Sequence, residues 1–112
     1  MLRQRRIVQF FAESINIKQI YVADNLTLLD NITVANSSAN IIVAKIYLVR
    51  KNFPVVEKGF EDTLFWVKAI PSFDTTNFVT EHILEVGDIL FFEVDAASVC
   101  NLTIGARKEE SI

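Results

Sequence analysis

Asn31-Ile32-Thr33-Val34-Ala35-Asn36-Ser37-Ser38, followed by Asn40-Ile41-Ile42-Val43-Ala44-Lys45-Ile46-Tyr47-Leu48-Val49, is the stretch that decides the fold. Its first half alternates polar and apolar residues from 31 to 36. Successive side chains of a strand point to opposite faces, so this reads as a strand with one wet face. Asp24-Asn25 before it and Asn36-Ser37-Ser38 after it are turn chemistry. The second half is apolar on both faces. Ile41, Val43, Tyr47 and Val49 share one, broken by Lys45, and Ile42, Ala44, Ile46 and Leu48 share the other. A helix competes over a run of this length, but the β-branched density and the flanking Asn and Ser favour a strand. A strand apolar on both faces is covered on both faces. Only one side of a strand in a two-layer sandwich is core, so the other side asks for a partner chain or an overlying arm.

The period of two continues outward. Ile15 and Ile17 alternate with polar residues, and Ile20-Tyr21-Val22 closes that segment. Downstream, Lys51 to Asp62 holds Pro54, Gly59 and several charges and reads as a loop. A short strand at Phe53 to Val56 would have to lie at an edge, because Pro donates no ladder hydrogen bond. Thr63 to Ile70 reads as a strand, with Leu64, Trp66 and Ile70 facing one way and Phe65, Val67 and Ala69 the other. Asn77 to Leu84 is a less regular strand. Glu85-Val86-Gly87-Asp88 is a turn in which Gly87 takes a positive φ at little cost. The last two strands place Leu90, Phe92 and Val94, then Cys100, Leu102 and Ile104, inward. Residues after Gly105 are charged and read as frayed.

The fold class that follows is all-β: an antiparallel β-sandwich, jelly-roll-like, of seven to eight short strands. Residues 1–13 form an amino-terminal arm or first strand, 14–106 the sandwich and 107–112 a carboxy-terminal tail. The 112 residues suit one domain. Apolar residues make up 51% of the chain, nine of them Phe, which is a heavy load for so small an interior. Part of that load belongs either to a dense core or to a surface that meets a partner. The net charge of −3 does not fit a general nucleic-acid binder. The basic residues at the start are not followed by a continuous apolar run, so no secretory signal is read, and no stretch is apolar enough for a membrane helix. Four Asn-x-Ser/Thr matches, at Asn25, Asn31, Asn36 and Asn101, therefore read as accidents of half-exposed strands.

The inventory for chemistry is thin. His82 beside Glu81 reads as a surface residue, and Cys100, alternating inward, as a small buried hydrophobe with a raised pKa. Glu81, Glu85, Asp88, Glu93 and Asp95 are dense but lack calcium-loop spacing or a facing pair. They read as solvated turns and strand edges. Three glycines leave no phosphate loop, and no Cys/His cluster supports zinc. No catalytic residue, cofactor or metal is expected. Arg3, Arg5 and Arg6 read either as a solvated tail or as a basic group that pairs with an acidic patch on a neighbouring subunit. An alternative binding reading makes Phe73, Phe78 and Trp66 a sugar platform, although strand placement puts Trp66 in the core.

The runs Ile32-Thr33-Val34-Ala35-Asn36-Ser37-Ser38 and Asn40 to Val49 resemble small virion proteins of tailed bacteriophages. So do His82-Ile83-Leu84-Glu85-Val86-Gly87-Asp88-Ile89-Leu90 and the ending Asp95-Ala96-Ala97-Ser98-Val99-Cys100-Asn101-Leu102-Thr103-Ile104-Gly105. The resemblance covers residues 15 to 105. These motifs build a fold and carry no catalytic content. They imply a β-sandwich on a phage particle, as head decoration (cement) protein or as tail or neck component, usually a trimer or another symmetric oligomer. The charged, aromatic middle loop and the basic amino-terminal segment depart from the typical pattern. The expected function is that of a virion structural protein, foremost a capsid decoration protein made in the host cytoplasm. Its partners would be its own copies and the major capsid protein or other virion proteins, with no nucleic acid and no membrane. A receptor- or glycan-binding module is the alternative of another class, and a hydrolytic enzyme the weakest reading. The candidate interface comprises Arg3, Arg5, Arg6, Ile42, Ala44, Ile46, Leu48, Phe65 and Val67.

Overall fold

The computed structural model describes the backbone of residues 2–50 and 63–109. Eight strands run β1 (Leu2–Ala12), β2 (Lys18–Val22), β3 (Thr27–Asn36), β4 (Ile42–Val49), β5 (Leu64–Ile70), β6 (Asp74–Leu84), β7 (Ile89–Val94) and β8 (Cys100–Glu109). They form two antiparallel four-stranded sheets, ordered β1-β8-β3-β6 and β2-β7-β4-β5. The pairing is nested: β4 with β5, β3 with β6, β2 with β7 and β1 with β8. Successive nested pairs fall in alternate sheets, as when one long antiparallel hairpin is rolled over on itself. That is the jelly roll. The segment Lys51 to Asp62, with its expected edge strand at Phe53 to Val56, lies outside the described residues.

Alternation decides which side chains meet between the sheets. Leu29, Ile32 and Val34 of β3, Ile42, Ala44 and Ile46 of β4, Leu90, Phe92 and Val94 of β7, and Cys100, Leu102 and Ile104 of β8 are all buried. Each large apolar group so buried contributes about 1.5–3 kcal/mol before the entropy of ordering is subtracted. Trp66 lies in this core too, edge-on to Phe78 at 5.3 Å. Turns close the roll by local chemistry. Gly87 takes φ 94° and donates to Ala23 O, while Ala23 N–H donates to Asp88 O. Two non-glycine residues, Phe73 and Ser98, take the left-handed region at φ 51° and 61°.

Asn36 ties the two sheets together at the end of β3. Its amide nitrogen donates to the carbonyls of Asn40, Ile70 and Pro71 at 2.7, 3.2 and 3.1 Å. Its Oδ1 accepts from Ser38 N–H and Ser38 Oγ at 2.9 and 2.8 Å. The residue is buried, so a polar side chain in the core is fully engaged.

The structure decides between the two readings of the amino-terminal segment and redraws two other sequence expectations. The amino-terminal segment is a strand, paired with β8 along its length rather than laid over β4. The charged residues after Gly105 continue β8 to Glu109, where Arg107 pairs with Asp30 at 3.1 Å and Lys108 with Asp24 at 2.7 Å. The less regular stretch near Asn77 belongs to an 11-residue strand that begins at Asp74.

Candidate interaction surface

The two sheets present outer faces of different chemistry. On β1-β8-β3-β6 the outward residues fall in cross-strand rows: Gln9, Thr103, Thr33 and Asn77, then Phe11, Asn101, Ala35 and Thr75. A third row holds Arg6, Gly105, Asn31 and Val79. This face is mostly amide and hydroxyl, the wet side that the alternation in β3 predicts. A shallow depression of about 330 Å³ over Gly105 is lined by Arg5, Arg6, Asn31 and Thr103.

On β2-β7-β4-β5 the rows are Gln19, Phe91, Tyr47 and Leu64, then Val22, Ile89 and Val49. Glu93, Lys45 and Val67 form a third row, and Val43 pairs with Ala69. Val22, Leu64 and Val67 are each 40–46% exposed. The charged groups on this face among the described strands are Lys45 and Glu93, which face each other at 4.0 Å. Tyr47 Oη also donates to Glu93 at 2.7 Å. The carboxylate is thus partnered within the face, which lowers the cost of bringing another apolar surface against it. A depression of about 430 Å³ at its margin is lined by Ile15, Val43, Lys45, Glu93 and Asp95.

The candidate interface residues separate on this frame. Ile42, Ala44, Ile46 and Leu48 are not available to a partner, because they form the core of their own domain. Their register explains it: Ala44, Ile46 and Leu48 pair with Val94, Phe92 and Leu90, which all point between the sheets. Both faces of β4 are apolar, and it is the opposite one, with Val43, Tyr47 and Val49, that faces outward. Tyr47 and Val49 are buried there, whereas Val43 and Lys45 are half-buried and Ile41, just before the strand, is 68% exposed. Phe65 is half-buried and stacks on His82 at 5.0 Å, so it packs within the domain. Val67 is exposed on the apolar outer face. Arg5 and Arg6 are exposed on β1, the strand that also carries Arg3. Because β1 and β5 are edge strands at opposite lateral ends of the sandwich, the arginines and Val67 do not form one patch. The aromatic trio is also dispersed: Trp66 and Phe78 pack together inside, and Phe73 stands exposed in the β5–β6 turn.

A polar cluster that the pattern did not reveal sits where β4, β6 and β7 converge. Asp88 is buried and accepts from Arg50 Nη1 and from Glu85 N–H. Arg50 also donates to Ile83 O at 3.1 Å and lies 3.2 Å from His82 Nε2. Burial, with the adjacent Arg50 cation, holds the His82 pKa below its ordinary value against the opposing pull of Asp88. Asp88 is therefore not a solvated turn carboxylate, whereas Asp95 stays exposed at a strand end, its Oδ1 accepting from Val43 N–H at 2.8 Å. Nothing in spacing marks Asp88, since its buried position depends on Arg50, 38 residues earlier in the chain. Burial pushes the Cys100 thiol up to about 11, the direction its alternation implies. No group of three or more His, Cys, Asp or Glu side chains is placed to hold a metal among the described residues.

No protein-family model matches the chain, and no curated protein matches it in sequence. Solved structures do match in shape. Eiger TNF from S. frugiperda superposes with a TM-score of 0.52 at 11% identity, over 99% of this chain and 94% of that one. A chain of the T13 IBDV viral particle superposes with a TM-score of 0.50 at 10% identity, over 96% of this chain. The match spans only 31% of the viral chain, so this protein corresponds to about a third of its length. At such identities the likeness is one of fold, shared with Eiger TNF and with a chain of a viral particle.

Proposed function

We propose that this protein is a structural component of a virion, made to associate with its own copies and with other shell subunits, and that it is not an enzyme. The observation that carries the reading is the apolar outer face of β2-β7-β4-β5, with Val22, Leu64 and Val67 exposed on it. A monomer gains nothing from leaving these edge-strand side chains exposed beside the buried Tyr47 and Val49, whereas an assembly buries them. The jelly roll shared with a chain of a viral particle supports the same role. The sequence resemblance to small phage virion proteins narrows it to a capsid decoration protein, a trimer that stabilises the head by many weak linked contacts. The protein would then reside in the virion, with the major capsid protein as its partner.

The two groups best suited to catalysis support a non-enzymatic role. His82 faces a guanidinium and a phenyl ring, and the Cys100 thiol is buried. The test is mass in solution by light scattering, followed by binding to heads assembled without this protein. The expected result is an oligomer that Val67→Arg converts to monomer with its circular dichroism unchanged, and that binds such heads. A strict monomer at high concentration defeats the self-association. Oligomers that ignore heads but bind tails move the protein to the tail or neck.

A further inference from the structure

We propose that copies of this chain also join edge to edge, β6 of one against β1 of the next, extending the β1-β8-β3-β6 sheet from subunit to subunit. The inference rests on the self-association proposed above and adds a second, directional contact to it. β1 and β6 are the two edges of one sheet, and each is 11 residues long. β1 pairs only with β8, and β6 only with β3, among the described residues. Among the described residues each therefore leaves a row of backbone donors and acceptors along its outer side, the template on which another strand adds.

Direction and register both favour this junction. Every neighbour in the sheet is antiparallel, so β6 runs opposite to β1. A second copy placed beside the first in the same orientation brings its β1 antiparallel to β6. The cross-strand rows within one sheet already align Asp74 with Ala12, Thr76 with Phe10, Asn77 with Gln9 and Phe78 with Val8. Carrying those rows straight across the junction matches the two strands end to end.

Charge selects the head-to-tail arrangement over a symmetric one. β1 holds Arg3, Arg5 and Arg6 and no acid, and β6 holds Asp74 and Glu81 and neither Lys nor Arg. In the straight register Val79 shares a row with Arg6, and His82 with Arg5, so Glu81 falls between the two arginines of the next copy. Glu81 also shares the outer face with Arg6, since His82, the next residue, stacks on Phe65 within the domain. Asp74 falls beside the Ala12 end, near Glu13, and adds no attraction. A two-fold β1–β1 contact would instead pair two basic strands, neither of which carries an acid of its own. The head-to-tail contact is heterologous, so it generates rings when the rotation closes and filaments when it does not.

Site-directed cross-linking tests the junction on the full chain. Gln9→Cys and Asn77→Cys stand in one row on the wet face, and the native Cys100 is buried. Mild oxidation of the double variant should give a ladder of multimers. A mixture of the two single variants should give one heterodimer, and Gln9→Cys alone should give none. Glu81→Arg should abolish the ladder, and Arg5→Glu with Arg6→Glu added to it should restore it. Dimers from Gln9→Cys alone, or oligomers that form without any disulfide between positions 9 and 77, overturn the edge junction while leaving self-association standing. A chain that is monomeric throughout overturns both.

Discussion

Replacing Asn36 by Ala should remove more stability than any single surface change, because one amide on β3 completes hydrogen bonds for β5 of the other sheet and for the adjoining turns. Asn36 Nδ2 serves three carbonyls, and that of Ile70 lies in the interior. Asn36 Oδ1 serves the backbone N–H and hydroxyl of Ser38. Truncation removes the partner of Ile70 O in the interior, while water reaches the part-buried groups of Ser38, Asn40 and Pro71. An orphaned buried polar group costs about 1–3 kcal/mol, which puts the loss at ~2 kcal/mol. In a small domain each kcal/mol moves Tm by roughly 4–8 °C, which places the shift at about 8–16 °C. The assay is equilibrium urea unfolding with a thermal melt, on Asn36→Ala, Asn36→Asp and Ser38→Ala. Asn36→Asp keeps the shape but turns a donor into an acceptor facing three carbonyl oxygens, so at neutral pH it should be less stable than Asn36→Ala. Ser38→Ala keeps its own N–H and the Asn36 amide, so it should lose under about 1 kcal/mol. An Asn36→Ala loss below about 1 kcal/mol, with Asn36→Asp equal to it, would falsify the claim that this amide ties the sheets.

Three further outcomes follow from the geometry. His82 has a depressed folded pKa, so stability should hold above its unfolded value of about 6.5 and fall as pH drops through that value toward the folded one. His82→Phe should flatten that limb of a stability profile between about pH 7.5 and 5.5, the window around the unfolded value. A wild-type profile that rises on acidification across that window is the wrong sign. Gly105→Ala places a methyl 2.9 Å from Asn31 Nδ2, the far end of a side chain that can swing away. Lost backbone freedom in the unfolded chain offsets the crowding, so the net change should stay within about 1 kcal/mol, and a larger loss in urea unfolding would mean that Asn31 is pinned. Cys100, with its thiol raised to about 11, should resist alkylation at about pH 8 until urea unfolds the domain. Rapid labelling of the native protein would show that the β8 strand opens.

The strand alternation in β3 and β8 was legible because one of its faces is wet. Ile32 with Val34, and Leu102 with Ile104, could point only inward, and they do. The same pattern failed as a guide to β4. With apolar residues on both faces, periodicity supplies no sign, and only the register with Leu90, Phe92 and Val94 fixes Ala44, Ile46 and Leu48, and with them Ile42, as core. It failed likewise for polar residues whose partners are distant in sequence. Asn36 reads as turn chemistry and Asp88 as a solvated carboxylate until Ile70 and Arg50 are brought to them.

By itself, then, the sequence determined an all-β sandwich, the inward set of most strands, the buried character of Cys100 and the turn at Gly87. These are local properties, set by the period of two and by what each backbone position tolerates. The tertiary structure alone decided the rolled order of the strands, which face of β4 looks outward and where the arginines of β1 lie. It also decided that the acidic and basic edges belong to one sheet. Those depend on pairings between residues dozens of positions apart, and no local pattern encodes them.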